Sequence, residues 1–288
     1  MELIRSKVNA YCMGVRRALD MAEKSLDGST GPVYALGPLI HNPQVLENLR
    51  LRGLKTVKES ERENIPHGAT AIIRAHGVSP EIEKALTDKN IHILDATCPR
   101  VKASQKLAAR AYEQGKQVFL AGDPDHGEIV GLLGYAPGAH VIANRNAARE
   151  LLDNVLFNTE PTLERPALLI AQTTFSPAEL QGIVDELSQM FKNLEVANTI
   201  CQATAERQNA LFELLEEVEA LVVVGGKNSA NTRRLYLLAL DAGKKAVHVE
   251  QADELPAWIF KEQKVGLASG ASTPDSLLKQ VEQALLKL

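Results

Sequence analysis

The chain has 288 residues, of which 45% are hydrophobic, and a formal net charge of −4. This composition is ordinary for a globular protein, and the charge gives no support to nucleic-acid or membrane-surface binding. The sequence has no apolar run of about 20 residues and no signal-like N-terminus, so we expect a soluble protein. The odd number of cysteines fits no set of disulfide bonds, and we therefore expect the reducing cytoplasm.

The predicted elements repeat three times along the chain. Each repeat reads strand, Cys, helix, strand, polar loop, helix, strand, helix. In the first repeat the extended segment LIRSKVNAY leads to Cys12, followed by the helix VRRALDMAEKSL and the strand VYAL. His41 then opens the helix QVLENLRLRG, and His76 ends the strand TAIIRAHG. Ser79 and Pro80 are predicted to start the last helix of the repeat.

The second and third repeats follow the same order. The second runs from HILDAT and Cys98 through the strand QVFLAG, the His126 loop, HVIA and ALLIAQ. The third runs from LEVANTI and Cys201 through the strand LVVVGG, a helix from about Asn231 and the strand KVGLAS. Evenly spaced prolines start the last helix of each repeat, at Pro80, Pro177 and Pro274.

Strands that alternate with helices predict an α/β fold with mainly parallel sheets. We therefore expect three similar α/β domains, over residues 1–97, 98–197 and 198–288, in a pseudo-threefold arrangement around a central cavity. In such units the loops at the carboxyl ends of the strands line the ligand crevice. Those loops carry His41, His76, His126, Thr173, Ser229, Asn231 and Ser272. Because helices begin just beyond them, an anion such as phosphate is the expected ligand.

The three cysteines share one position in the repeat, which favours a common role as metal ligands. Taken singly, a free cysteine is more often a small buried apolar residue. Three thiolates leave two options, a tetrahedral zinc with a histidine or an iron–sulfur cluster with one iron not bound by Cys. No short C-x₂₋₄-C pair occurs in this sequence, so the wide spacing favours a cluster.

Three histidines and one carboxylate are the remaining candidates for chemistry. His41, His76 and His126 each follow a strand, and imidazolium groups form strong hydrogen bonds with phosphate oxygens. Glu128 lies two residues after His126, and in a cavity its pKa would rise enough for it to serve as an acid. No GxGxxG or Walker motif is present, so a nucleotide cofactor has no support.

Eight segments in order along nearly the whole chain resemble the 4-hydroxy-3-methylbut-2-enyl diphosphate reductase family. They are AYCMGVRRAL, GPLIHNPQVLENLRLRGL, IIRAHGVSPE, DATCPRVK, HGEIVGLLGY, AQTTFSP, GGKNSANTRRL and GASTPDSL. The resemblance implies three α/β domains around a central cluster. It also implies a two-electron, two-proton reductive dehydroxylation that yields isopentenyl and dimethylallyl diphosphate, the last step of the methylerythritol phosphate route to isoprenoids. Electrons would come from a ferredoxin- or flavodoxin-like partner.

The resemblance also implies roles for the candidate residues. Cys12, Cys98 and Cys201 would bind a [4Fe–4S] cluster whose fourth iron is free for the substrate hydroxyl. Glu128 would be the proton source, with His126 contacting the substrate and Thr173 positioning its hydroxyl. The diphosphate would be bound by His41, His76, His126, Ser229, Asn231 and Ser272.

Some positions depart from the family pattern. Gly127 replaces a proline, Ala230 a serine and Ala171 a threonine, and Ala268-Ser269 replaces Thr-Ala. Gly127 predicts a looser loop at the acid, and Ala230 removes one hydroxyl from the diphosphate site. The departures leave open a paralogous iron–sulfur reductase with another anionic substrate. A non-catalytic iron–sulfur sensor or electron carrier, or a zinc-binding structural protein, are further alternatives.

Overall fold

The computed structural model describes residues 1–158 and 166–287. Within these ranges the chain forms twelve β-strands, ten α-helices and three short 3₁₀ helices. The strands are β1 Glu2–Arg5, β2 Val33–Leu36, β3 Lys55–Val57, β4 Thr70–Ile73, β5 His92–Asp95, β6 Gln117–Ala121, β7 His140–Ile142, β8 Ala167–Ala171, β9 Leu194–Ala197, β10 Ala220–Val224, β11 Lys245–Val249 and β12 Lys264–Ser269. The 3₁₀ helices are Glu59–Asn64, Ala252–Glu254 and Ile259–Lys261.

The α-helices follow the strands in alternation, as the sequence pattern predicts. They are α1 Met13–Gly28, α2 Pro43–Leu51, α3 Pro80–Asp88, α4 Pro99–Glu113, α5 Gly127–Tyr135, α6 Arg145–Asn158, α7 Pro177–Met190, α8 Gln202–Glu217, α9 Ala230–Asp241 and α10 Asp275–Leu286. Proline at the first turn of α3 and α7 fits the predicted helix starts, since proline lacks the N–H that is unpaired there in any case. No helix among the described residues is long and apolar enough to cross a membrane.

The strands form three four-stranded parallel sheets, which confirms the predicted fold class. One sheet has the order β1-β12-β10-β11 and another the order β7-β6-β8-β9. The remaining sheet contains β2 to β5, and in it β4 pairs with β5 in parallel. The chain also divides into two compact units, one formed by residues 1–56 and 202–288 and the other by residues 57–201.

In the unit formed by residues 1–56 and 202–288, β10 is buried on both of its faces. Ala220, Val222 and Val224 pack with α10, while Leu221 and Val223 pack with α8 and α9. In the unit of residues 57–201, β8 is buried in the same way between α7 on one side and α4 and α5 on the other. Parallel strands covered by helices on both faces have continuous apolar sequences, which explains the runs ALVVV and ALLIA.

Each strand that leads to a cysteine pairs with the last strand of another predicted repeat. β5 pairs with β4, β9 with β8, and β1 with β12, so the N-terminal strand lies in the sheet of the C-terminal repeat. The domain boundaries 1–97, 98–197 and 198–288 stay a prediction. Strands β3 and β11 were not expected from the sequence. Since β11 is only half-buried at a sheet edge, its sequence lacks the continuous apolar run.

Candidate active site

The three cysteines form no disulfide bond, are half-buried and are placed alike in the fold. Each lies directly before the first turn of a helix, and each donates its backbone N–H to a carbonyl in the loop after a strand. The helices are α1, α4 and α8. The bonds join Cys12 to Ala271 at 3.1 Å, Cys98 to Ala75 at 2.9 Å and Cys201 to Thr173 at 2.8 Å. The three cysteines, which share one position in the sequence repeat, therefore also share the same backbone hydrogen bond and the same position before a helix.

This donor set fits an iron–sulfur cluster bound by three cysteines. Thiolate sulfur is the preferred protein ligand of such clusters, and a helix N-terminus favours the negative charge of a bound thiolate. At the start of α1, the Cys12 Sγ also accepts the Val15 N–H at 3.5 Å. The sequence contains no fourth cysteine, so one iron of a four-iron cluster would have no cysteine ligand.

Glu128 is a buried carboxylate fixed by one residue on a neighbouring strand end. It lies in the first turn of α5 and is 1% exposed. Thr173, which follows β8, donates its backbone N–H to Oε1 at 2.8 Å and its hydroxyl to Oε2 at 2.7 Å. Both carboxylate oxygens thus have a donor, and the side chain has one defined orientation.

The surroundings of Glu128 raise its pKa to about 7. Burial dominates, because it removes water from the charged form, whereas the two bonds from Thr173 act in the opposite direction. A carboxyl group with such a pKa retains a proton near neutral pH and is suited to general acid catalysis. Glu128 is therefore buried with a raised pKa, and its role as an acid stays a prediction.

His126 and His76 lie next to this carboxyl group in the same unit. His126 precedes α5, and its Nδ1 accepts the Glu128 N–H at 3.2 Å, so Nε2 carries the proton of the neutral ring. His76 follows β4 and meets the His126 ring edge-to-face, with ring centroids 5.0 Å apart. The fold thus brings Glu128, Thr173, His126 and His76 together from the ends of β4, β6 and β8.

The loop before Glu128 is held in place although it contains Gly127. The space that a Cβ at position 127 would occupy holds the Arg74 guanidinium, whose Nη2 lies 2.6 Å from that point. Arg74 also pairs with Glu59. Upstream, Asp123 receives two bonds, one from His126 N–H to its carbonyl and one from Asp125 N–H to its carboxylate. These contacts constrain the loop, and the prediction that it is looser than a proline-containing loop stays a prediction.

The other candidates lie in the unit formed by residues 1–56 and 202–288. Ser229 precedes α9 and caps it by accepting the Thr232 N–H at 3.3 Å. Asn231 lies in the first turn of α9, is 6% exposed, and its Nδ2 has no hydrogen-bond partner among the described residues. The Ser272 hydroxyl donates to the His41 carbonyl at 3.1 Å, which ties the loop after β12 to the loop after β2.

An unpartnered buried amide donor is costly unless a ligand satisfies it. Asn231 Nδ2 is such a donor at a helix N-terminus, where anions bind readily. This observation fits the phosphate ligand predicted from the sequence. The assignment of the predicted residues to catalytic and substrate-binding roles stays a prediction.

Two supporting residues at this site were not among the sequence candidates. Gln172, 3% exposed, accepts the Asp123 N–H at 3.0 Å and donates to the Thr174 hydroxyl at 2.9 Å. The sequence signal that could have identified Gln172 is a polar residue directly after a buried strand. Arg74 follows β4 in the same way, so the same signal could have identified Arg74.

Comparison with known proteins identifies relatives along the full length of the chain. The family model described as LytB protein matches residues 3–286. A 4-hydroxy-3-methylbut-2-enyl diphosphate reductase of Treponema denticola is 41% identical over 292 residues, which cover 98% of this chain and 98% of the relative. The reductase of the same name from Aquifex aeolicus is 38% identical over 288 residues, covering 100% of this chain and 96% of the relative.

Solved structures agree with these relatives. The E-1-hydroxy-2-methyl-but-2-enyl-4-diphosphate reductase from Plasmodium falciparum is 27% identical with a TM-score of 0.91, over 98% of this chain and 87% of that chain. A second structure is described as (E)-4-hydroxy-3-methyl-but-2-enyl diphosphate reductase, the terminal enzyme of the non-mevalonate pathway. It is 36% identical with a TM-score of 0.71 and full coverage of both chains, 100% each.

Proposed function

The chain belongs to the LytB family, and the curated relatives described above are 4-hydroxy-3-methylbut-2-enyl diphosphate reductases. On this basis we propose that Cys12, Cys98 and Cys201 hold a [4Fe–4S] cluster, with which the chain reduces 4-hydroxy-3-methylbut-2-enyl diphosphate. The chain is an oxidoreductase of the non-mevalonate pathway and carries out its terminal step. The reaction consumes two electrons and two protons, breaks the allylic C–O bond and releases water. When bound, the cluster supplies the electrons and a Lewis-acidic iron for the substrate hydroxyl.

The observation that carries the mechanism is the Glu128–Thr173 pair. When Glu128 is protonated on Oε2, it donates to the Thr173 hydroxyl oxygen, since a hydroxyl can both accept and donate. The hydroxyl hydrogen of Thr173 is then free to be donated to the leaving oxygen of the substrate. A proton thus passes from Glu128 through Thr173 to the hydroxyl that departs as water. Burial raises the pKa of Glu128 to about 7, so a substantial fraction of the chains hold this proton at neutral pH.

Hydrogen-bond donors of the candidate residues bind the diphosphate. We assign this role to His41, His76, His126, Ser229, Asn231 and Ser272. Asn231 provides the firmest support, because its buried Nδ2 is without a partner among the described residues and the first N–H groups of α9 lie beside it. With its Nε2 proton, His126 donates to the substrate while its Nδ1 caps α5.

The two electrons come from outside the chain. We propose a ferredoxin- or flavodoxin-like protein as the donor, because one-electron carriers of this kind match the one-electron steps of an iron–sulfur centre. The donor is independent of the proton path, so an artificial one-electron reductant can replace it in an assay.

The test is an anaerobic assay of the purified chain with reduced methyl viologen and 4-hydroxy-3-methylbut-2-enyl diphosphate. We expect Glu128→Gln to keep the cluster and lose activity by about 100-fold or more, because removal of a general acid costs that much. Glu186→Gln is the matched control, since Glu186 is also a buried carboxylate but pairs with Arg145 and Arg149. Wild-type activity is expected to fall as the pH rises above about 7, where Glu128 loses its proton.

Two results would contradict this assignment. A cluster-loaded chain that leaves this substrate unchanged would identify a paralogous reductase for another anionic substrate. Full activity in Glu128→Gln would remove Glu128 from the proton path and leave the family reaction intact.

A further inference from the structure

Arg207 is a buried cation on α8, six residues after Cys201. It is 3% exposed and lies on the helix face that continues with the core residues Leu211 and Leu214. A guanidinium is costly to bury unless its donors are satisfied by hydrogen bonds. Its presence on an apolar face therefore requires partners that the fold holds in place.

The partners of Arg207 include three backbone carbonyls from two separate segments. Its Nη2 donates to the Ala10 carbonyl at 2.5 Å, and its Nη1 contacts the Val8 carbonyl at 3.4 Å and the Ser269 carbonyl at 3.3 Å. Val8 and Ala10 lie in the loop that ends at Cys12, whereas Ser269 is the last residue of β12. The Arg207 guanidinium thus joins the end of β12 to the loop before Cys12.

Ala10 has a backbone conformation that alanine rarely adopts. Its φ is 61°, and Asn90 is the one other non-glycine residue with a positive φ among the described residues. Asparagine tolerates the left-handed region because its side chain can bond locally, but alanine has no such group. The conformation of Ala10 must therefore be imposed by its surroundings.

Ser269 supplies the second constraint on the same residue. It is fully buried, and its Oγ accepts the Ala10 N–H at 3.0 Å and donates to the Asn9 side-chain oxygen at 3.1 Å. The Asn9 amide in turn donates to the Ser6 carbonyl at 2.6 Å. Both polar groups of the Ala10 backbone are therefore fixed, the N–H by Ser269 and the carbonyl by Arg207.

We propose that Arg207 and Ser269 form a clamp on Ala10 that positions Cys12 as a metal ligand. The clamp holds Ala10 in its left-handed conformation, and this conformation determines the direction in which the chain enters Cys12 two residues later. Arg207 is a positioning residue, because its contacts are with the backbone of the loop. The proposal rests on the proposed function in one respect, the role of Cys12 as a cluster ligand.

The loops before the other two cysteines are held by groups other than the contacts described for Arg207. The Asp95 side chain accepts the Thr97 N–H at 2.9 Å just before Cys98, and the Asn198 side chain accepts the Ile200 N–H at 3.2 Å just before Cys201. Each loop also bonds to a neighbouring strand end, through the Ala96 N–H to the Ile73 carbonyl at 3.0 Å and through the Thr199 hydroxyl, which accepts the Ala171 N–H at 3.0 Å. A change at Arg207 is therefore expected to act on the Cys12 loop and to leave the other two loops as they are.

The first test measures hydrogen exchange in the full chain without a cluster. In Arg207→Met we expect the amides of Ala10 to Cys12 to exchange about tenfold faster or more, because hydrogen exchange reports local opening. The loops before Cys98 and Cys201 should be unchanged. Gln208→Met is the matched control, because Gln208 is the adjacent buried residue and its Nε2 has no partner among the described residues. Unchanged exchange at Ala10 to Cys12 in Arg207→Met would overturn the clamp.

The second test measures cluster retention after anaerobic reconstitution. Residues that orient a metal ligand typically contribute about 10-fold to 100-fold to metal affinity, so we expect Arg207→Met to lose its iron–sulfur absorbance faster by a factor in that range. Ala10→Gly in the Arg207→Met background should restore retention, because glycine adopts positive φ without strain. Faster exchange of the loop with unchanged cluster retention would contradict the positioning role.

Two further variants keep the proposal testable if Arg207→Met does not fold. Ser269→Ala removes the contacts to the Ala10 N–H and the Asn9 side chain but keeps the Ser269 carbonyl that Arg207 contacts. Arg207→Lys keeps the charge but replaces the planar fork with a single point donor. Both should speed exchange at Ala10, and wild-type behaviour in both would overturn the clamp. If the wild-type chain binds no cluster, the proposed function fails, while the exchange measurement still decides whether the clamp exists.

Discussion

At the scale of single residues, Glu128 shows how burial sets a chemical property. Desolvation raises its pKa to about 7, although Thr173 donates two hydrogen bonds that favour the charged form. The same carboxyl group in an unfolded chain titrates near 4.5. Between these two values the native chain therefore holds a proton that the unfolded chain has released, which links folding stability to pH.

The pH dependence of stability tests this link. For the Glu128 group, stability is fully present below pH 4.5 and declines as the pH rises to about 7, because the native state binds the extra proton in this interval. The decline amounts to about 3 kcal/mol. We expect Glu128→Gln to be more stable than wild type at pH 8 by up to this amount and to approach wild type near pH 4.5. Urea unfolding at both pH values measures it, and parallel pH profiles of the two proteins would contradict it.

At the scale of elements, the turn after β4 determines where His76 lies. Gly77 follows it with a φ of +74°, and a Cβ at this position would lie 2.3 Å from the Gln105 side-chain nitrogen on α4. Gln105 is almost fully buried, and its amide contacts the Val78 carbonyl at 3.5 Å. The turn is therefore shaped both by its backbone conformation and by the helix that follows Cys98.

Two glycines with the same positive φ separate the effect of backbone strain from that of side-chain packing. Gly68 also has a φ of +74°, but no atom lies within 4 Å of its Cβ position. We expect Gly68→Ala to destabilise the chain by about 1 kcal/mol through conformational strain alone. Gly77→Ala should cost about 1–3 kcal/mol more, because Gln105 is packed against that position. Thermal unfolding of both variants measures the difference, and equal costs would show that Gln105 moves aside freely.

At the scale of the whole molecule, the chain places its three cysteines by one rule. The strand before each cysteine pairs with the last strand of another repeat, and the cysteine N–H then bonds to the loop that follows that strand. For Cys12 this requires β1, at the start of the chain, to pair with β12 near its end. The three thiols are thus equivalent in their backbone surroundings, although they lie far apart in sequence.

This equivalence predicts equal consequences for the three cysteines. If all three are cluster ligands, Cys12→Ala, Cys98→Ala and Cys201→Ala should each reduce iron per chain after anaerobic reconstitution by about tenfold or more. Met13→Ala is the control beside Cys12, because Met13 is a sulfur-containing residue that is 59% exposed. Iron content and visible absorbance measure the effect. A variant that retains the full cluster would remove that cysteine from the ligand set.

The amino-acid sequence by itself determined most of the elements and their repeat, and it indicated the candidate residues. The spacing of Cys12, Cys98 and Cys201 and the buried runs ALLIA and ALVVV are local features of the chain, and secondary structure follows from local apolar pattern. The half-buried edge strand β11 was missed for the same reason, because its pattern is weak.

The tertiary structure alone decided how these elements act on one another. It pairs β1 with β12, removes water from Glu128, brings Thr173 to both of its oxygens and extends Arg207 to the Ala10 carbonyl. Each of these facts joins groups that are far apart in sequence. Desolvation and hydrogen bonding depend on which groups packing brings together, and a local sequence pattern does not contain that information.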